Sequence, residues 1–343
     1  MKKINVGLVG LGRLGKEYAK NLAFKIRAAN LVAVCSIVPE ELEFAKNELG
    51  IENLYSDYEE MLKHSNLETV FIVSSTDKHA EHIIKALEAG LHLFSEKPLA
   101  ITQSECEKVE AVAAQYPDQF AVVGFVRRFD PSYQYAKKKV DEGAIGKPYL
   151  VRSQTVDKDT IADWMIQYVK NSGGIFHDFN VHDIDLARWF LGGEIESVWS
   201  IGGAYKYPAF AEAGDADSVM STCFLDNGTM AVINACRTAM QGHDTYTEVV
   251  GTLGTLRIGR PANKHRVEIY DQHGARQECV ATFWERFEDS FLLMAEDFIQ
   301  CLIEGRKPEI TLADARQATV VAEAFTTSFE QKELVKIPKW GGV

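Results

Sequence analysis

The chain has 343 residues, enough to build two hydrophobic cores rather than one. A net charge of −12 argues against a nucleic-acid or anionic-membrane surface, and the balanced apolar and charged content excludes a disordered or fibrous class. No apolar run approaches a membrane span, the first strand begins at Ile4 with no room for a signal peptide ahead of it, and the six scattered cysteines form no CxxC pair, so a reduced, cytoplasmic protein is expected.

In chain order, the apolar run Ile4 to Val9 ends in Gly10-Leu11-Gly12-Arg13-Leu14-Gly15 and passes into a helix-forming segment. This is the GxGxxG pattern of a dinucleotide-binding turn. Gly10 permits the sharp turn, Gly12 lets the backbone approach a pyrophosphate, and Gly15 lets the helix lie close to the strand. The helix N-terminus then supplies free N–H groups and partial positive charge. The alternative is a strand-to-helix turn that is merely rich in glycine.

Strands follow at Leu31–Ile37, Thr69–Val73, Leu91–Phe94 and Phe120–Phe125, separated by helices. Pro39 opens one helix and Gly50 closes it, Asp57 with Glu60 caps a short one, Lys78 to Ala89 is closed by Gly90, and Thr102 with Glu105 caps another. Uniformly apolar strands alternating with helices predict a parallel, doubly wound Rossmann sheet over residues 1–125. Residues 126–343 read differently. A helix from Pro131 to about Gly143 and a strand from Tyr149 to Val156 lead into an irregular stretch, then a helix from Phe176 to Leu191. Long strands follow at 197–204, 219–225, 230–236, 247–250, 255–258 and 267–270, with Asn227-Gly228 as a hairpin turn. Helices at 285–303 and 313–330 end the pattern. This predicts an α+β domain built on a large, open, mostly antiparallel sheet.

Two further stretches carry chemistry. Glu96-Lys97-Pro98 follows a strand at the carboxyl edge of the first sheet, where open parallel sheets bind ligands. Lys97 there can stabilise a developing alkoxide, or it is simply a solvated lysine. In Gly173-Gly174-Ile175-Phe176-His177-Asp178-Phe179-Asn180-Val181-His182-Asp183-Ile184-Asp185, Asp178 and His182 lie one helical turn apart. Histidine is the side chain whose unperturbed pKa lies near neutrality, which suits His182 to proton transfer, and Asp185 can hold its ring from the next turn. The alternatives are an ordinary amphipathic helix, or a metal site made of His177, Asp178, His182 and Asp183. The spacing of that set matches no metal motif, so no metal is assigned.

Together these stretches, with Gly124-Phe125-Val126-Arg127-Arg128-Phe129-Asp130 and Gly146-Lys147-Pro148, resemble the family named after glucose–fructose oxidoreductase, inositol dehydrogenase and the rhizopine-catabolism protein (Gfo/Idh/MocA). Arg127 to Asp130 and His182 to Asp185 are most similar to its inositol 2-dehydrogenase branch. The resemblance implies NAD(P)-dependent oxidation of a secondary hydroxyl of a cyclitol or sugar, myo-inositol to its 2-keto product first of all, with Lys97, Asp178 and His182 as the catalytic group. It implies cofactor contacts from Gly10, Gly12, Arg13, Leu14, Gly15, Ser36, Ser74, Glu96 and Lys97. Arg127, Asp157, Asn180 and Arg237 are further candidates for hydroxyl contacts, with a structural ion pair as the alternative for the charged ones. Trp164 is a candidate cover for the sugar face, with a core anchor as the more common fate of a tryptophan. A dimer or tetramer is implied as the assembly.

One departure bears on the cofactor. An NAD-selective fold carries an acid near the end of its second strand, and here Ser36 stands in that place. NAD is the first expectation, with NADP second because serine removes the charge that repels a 2′-phosphate. Two other functions stay open: an NADPH-dependent reductase of a keto-sugar, and a non-catalytic dinucleotide sensor, against which the presence of both Lys97 and His182 argues.

Overall fold

The computed structural model describes residues 2–159, 162–259, 264–265 and 267–338. It divides into two compact units, Met1–Val126 with Asp289–Thr319, and Arg127–Glu288 with Val320–Val343.

The first unit contains β1 (Ile4–Val9), α1 (Arg13–Lys20), β2 (Ala29–Cys35), α2 (Pro39–Leu49), β3 (Asn53–Tyr55), α3 (Tyr58–Leu62), β4 (Thr69–Ile72), α4 (His79–Glu88), β5 (His92–Ser95), α5 (Gln103–Ala113) and β6 (Ala121–Val123). The strands pair in parallel in the order β3-β2-β1-β4-β5-β6, a doubly wound sheet whose order reverses between β1 and β4. Ligands of such sheets bind outside the strand ends at that reversal. The short β3 escapes a reading by apolar runs because Asn53 is exposed and Leu54 and Tyr55 are only half-buried. Helix punctuation follows local chemistry: Pro39 is the first residue of α2 and Gly50 closes it at φ +70°. Thr102 and Glu105 form a complete capping box at α5, each side chain taking a backbone N–H.

Sequence reading groups residues 126–343 as one domain, yet Asp289–Thr319 belongs to the first unit. The reason is aromatic packing: Phe291 meets Tyr18 edge-on at 5.8 Å, and Phe298 meets Phe71 at 5.7 Å and Phe94 at 6.0 Å.

The second unit is built from α6 (Pro131–Asp141), β7 (Pro148–Lys158), α7 (Ala162–Ser172), α8 (Val181–Leu191), β8 (Ile195–Gly203), α9 (Ala209–Glu212), β9 (Ser218–Leu225), β10 (Met230–Ala239), β11 (Tyr246–Gly251), β12 (Thr255–Ile258), β13 (Ile269–Asp271) and β14 (Gly274–Arg276), with parts of α10 (Phe283–Glu304) and α11 (Leu312–Gln331), and β15 (Val335–Lys336). Seven strands form one sheet in the order β12-β11-β7-β10-β9-β8-β15, antiparallel except where β7 runs parallel to β10. Asn227-Gly228 does turn β9 into β10, Gly228 at φ +79° and the Asn227 Oδ1 accepting from the Thr229 N–H. The stretch read as irregular contains α7, whose Met165 and Val169, one turn apart, are buried. Trp164 lies on α7, but its side chain falls outside the described residues. The helix expected from Phe176 to Leu191 starts as one wide π turn, Phe176–Asn180, that runs into α8. Such turns cluster at functional sites.

Candidate active site

In the first unit the glycine turn has the shape a pyrophosphate needs. Gly10 sits at φ +91°, and a Cβ there would come within 2.5 Å of the Val73 carbonyl oxygen. A Cβ on Gly15 would lie 1.9 Å from the Gly10 carbonyl, so α1 can approach the strand only without one. Around Gly12 there is open space, and as N-cap it leaves the first N–H groups of α1 without a side-chain cap. Those groups can cradle a diphosphate. Arg13 is exposed at the head of α1 and Leu14 half-buried beside it. The residues present therefore fit a dinucleotide.

The Gly10 N–H donates to the Cys35 carbonyl at 2.9 Å, which ties the end of β2 to this turn. The next residue, Ser36, is buried, and its hydroxyl donates to the Glu41 carboxylate at 2.5 Å. A carboxylate from α2 thus sits beside position 36, an arrangement that needs the chain to fold back five residues later.

Ser74 follows β4, and its hydroxyl lies 3.0 Å from Nδ1 of His82. Burial holds His82 down at about 4, so this imidazole is neutral at physiological pH. The fully buried His79 bridges two loops, its Nδ1 2.7 Å from the Pro98 carbonyl and its Nε2 3.1 Å from the Ser74 carbonyl. It ties the residue after Lys97 to the Ser74 loop, a link that no motif spacing announces. Glu96 is buried, accepts from the Tyr18 hydroxyl at 2.6 Å and from the Lys97 N–H at 3.1 Å. Desolvation raises its carboxyl above the usual range. Buried in this way, Glu96 anchors the backbone of Lys97. The Lys97 side chain is half-buried and the Lys97–Pro98 bond is cis.

In the second unit Asp178 and His182 are both half-buried, on the wide turn and the first turn of α8 respectively. The residues between and beside them are anchors. Gly173 and Gly174 adopt φ +78° and +80°, and a Cβ on Gly174 would press on Asp215 at 3.0 Å. Asp215 accepts the Ile175 N–H at 3.0 Å and a hydrogen bond from Arg237. Arg237 is buried between the rings of Phe179 and Phe210, with its other terminal nitrogen 3.9 Å from Asp178 Oδ2. It therefore supports Asp178 electrostatically from behind.

Arg127 is likewise buried. It donates to Asp183 at 2.6 Å and to Thr155, so its guanidinium is engaged inside the unit. Asn180 has no exposed surface and gives its Nδ2 to Asp183 at 3.2 Å. Asp185 accepts both Arg128 Nε at 2.9 Å and Arg128 NH2 at 2.6 Å, which makes it an anchor of α8 to the segment after β6. Of the metal-site alternative, His177 turns its Nδ1 to the Gly173 carbonyl at 2.9 Å, and Asp183 is saturated by the Arg127 network. Asp157, at the end of β7, is partly exposed and lies against Nδ1 of buried His243, whose Nε2 is 2.7 Å from Thr245 Oγ1. His243, Asp215 and Tyr18 carry no sequence signal of their own; they are isolated residues whose partners are remote along the chain.

Residues 4–125 match the family model described as an oxidoreductase family with an NAD-binding Rossmann fold, and residues 133–257 match the GFO/IDH/MocA C-terminal domain. The NAD(+)-dependent scyllo-inositol 2-dehydrogenase of Bacillus subtilis is 36% identical, covering 95% of this chain and 94% of its own length. The myo-inositol 2-dehydrogenase of Thermotoga maritima is 32% identical, covering 97% and 98%. The crystal structure of scyllo-inositol dehydrogenase from Lactobacillus casei with bound NAD(H) and scyllo-inositol superposes with a TM-score of 0.95 at 40% identity, covering 98% of this chain and 99% of that one. On its sequence, its two folds and its glycine turn, this chain belongs to the Gfo/Idh/MocA family of NAD-binding oxidoreductases.

Proposed function

We propose that this enzyme oxidises a secondary hydroxyl of an inositol with NAD, giving the 2-keto product. The observation that carries the reading is full-length similarity to a structure that holds both NAD(H) and scyllo-inositol, in a chain that also has Lys97 and the Asp178-xxx-His182 pair. Bound NAD supplies the hydride acceptor. His182 takes the proton of the reacting hydroxyl, Lys97 stabilises the oxygen as charge develops on it, and Asp178 binds a hydroxyl. Asp157, partly exposed, is the remaining hydroxyl contact. Myo- and scyllo-inositol differ only at the carbon that becomes the ketone, so both lead to one product.

The proposal extends to assembly. Trp199, Ile201, Met220, Phe224 and Met230 are each 40–45% exposed on one face of β8, β9 and β10, while Val198, Val219, Cys223 and Ala231 on the other face are buried. Phe224 lies opposite Met230, and Ile201 opposite Met220, so the exposed apolar side chains are contiguous. A second copy of this chain covers that face, giving a cytoplasmic homo-oligomer.

The test follows reduced-nicotinamide absorbance with myo-inositol, scyllo-inositol, glucose and xylose, each with NAD and NADP. Turnover of an inositol with NAD is expected. Dinucleotide binding without turnover of any of them sinks the reading and leaves the sensor.

A further inference from the structure

We propose that the Ser36–Glu41 pair takes the place of the acid at the end of the second strand. In this reading Glu41, from the first turn of α2, accepts the adenosine ribose diol and turns away a 2′-phosphate.

The Gly10 N–H bonds the Cys35 carbonyl at 2.9 Å, and the Ser36 N–H bonds the Tyr55 carbonyl at 3.0 Å. Residue 36 is therefore still held in the sheet, one residue from the contact with the glycine turn. Val38 caps α2, Pro39 starts it, and the first turn brings Glu41 back to 2.5 Å from the Ser36 hydroxyl.

A serine hydroxyl has one proton to donate. Here Oγ receives the Val38 N–H at 3.1 Å and gives its proton to Glu41 Oε2. While so paired, Ser36 has nothing to donate to a 2′-phosphate. The Glu41 side chain is half-buried, and among the described residues its other oxygen accepts no hydrogen bond. A carboxylate held at one oxygen and open at the other is an acceptor for a diol, and it meets a 2′-phosphate as like charge against like charge. Lys16 and Lys20 lie over the Phe44 ring of α2 at 5.1 and 6.0 Å, one turn beyond Glu41, and Arg13 is exposed in the turn. Lys20 is also held by Glu17 of its own helix at 2.9 Å.

The inference rests on NAD binding by the first unit and not on which polyol is oxidised. Its test is equilibrium binding of NADH and NADPH by fluorescence titration, so failure of the inositol reading leaves it standing, and its own failure leaves that reading intact. The native protein binds NADH more tightly than NADPH. Glu41→Gln narrows that ratio by about tenfold, the scale of one charge contact largely screened by water. Glu40→Gln, one residue away on the same turn, leaves the ratio unchanged. Ser36→Ala, which frees the carboxylate without neutralising it, weakens NADH several-fold and does not admit NADPH. Glu41→Lys reverses the preference, and a thermal melt of each variant verifies folding. An unchanged ratio in Glu41→Gln, or a ratio that collapses in Ser36→Ala alone, overturns the proposal and returns discrimination to the serine.

Discussion

Asp183 has no exposed surface and sits beside His182 in the first turn of α8. Its Oδ1 accepts from Arg127 at 2.6 Å and Ser153 at 2.6 Å, and its Oδ2 from Thr155 at 2.7 Å and Asn180 at 3.2 Å. Four donors from three segments thus converge on one carboxylate. Asp183→Ala leaves the Arg127 guanidinium, itself 3% exposed, as a buried cation without its counter-charge. Stranding one partner of a buried pair costs about 3–5 kcal/mol. The hydroxyls add little, roughly 1 kcal/mol together, because Ser153 keeps Thr247 at 2.8 Å and Thr155 keeps Arg127. Removing both charges, as in Arg127→Met with Asp183→Leu, costs far less, about 0–2 kcal/mol, since no charge is left stranded. The assay is urea unfolding, followed by circular dichroism, of Asp183→Ala and of the cycle made by Arg127→Met, Asp183→Leu and the two combined. A loss below about 1 kcal/mol in Asp183→Ala, or additivity of the two single changes, refutes the buried-pair account.

Lys97→Ala and His182→Ala should each lower turnover by at least about a hundredfold while NADH affinity stays within about threefold, as loss of proton transfer or charge stabilisation dictates; full activity in either removes that residue from the mechanism. His82, depressed to about 4 by burial, binds fewer protons folded than unfolded, so it favours the folded state fully above pH 6.5 and loses this as pH falls toward 4. His82→Gln should therefore flatten the pH dependence of stability in that window, and an unaltered profile in pH-resolved melts excludes the burial argument. Phe224→Glu with Trp199→Glu should reduce the mass seen by light scattering to that of a smaller species; an unchanged mass rules out the open sheet face as the subunit contact.

Local chemistry decided much of this protein before any folding in space. GxGxxG dictates a strand, a turn at positive φ and a helix, because only glycine tolerates Gly10's backbone and Gly15's contact. Pro39, Gly50, Thr102 and Asn227-Gly228 punctuate the elements for equally local reasons, and the uninterrupted apolar strands are enough to require a sheet covered on both faces. Lys97 and the Asp178–His182 pair are proposed from the sequence because the residues of each motif lie within a few positions of one another. Tertiary structure alone decided what depends on partners distant along the chain. Arg127 found Asp183, Asp185 found Arg128, and Arg237 found Asp215, so residues that sequence offers as ligand contacts or ring holders became anchors. Phe291 and Phe298 carried their segment back to the first unit. At position 36, one serine reads as the absence of an acid until the fold returns Glu41 to its side: hydrogen bonds and charge act through space, and sequence records only order.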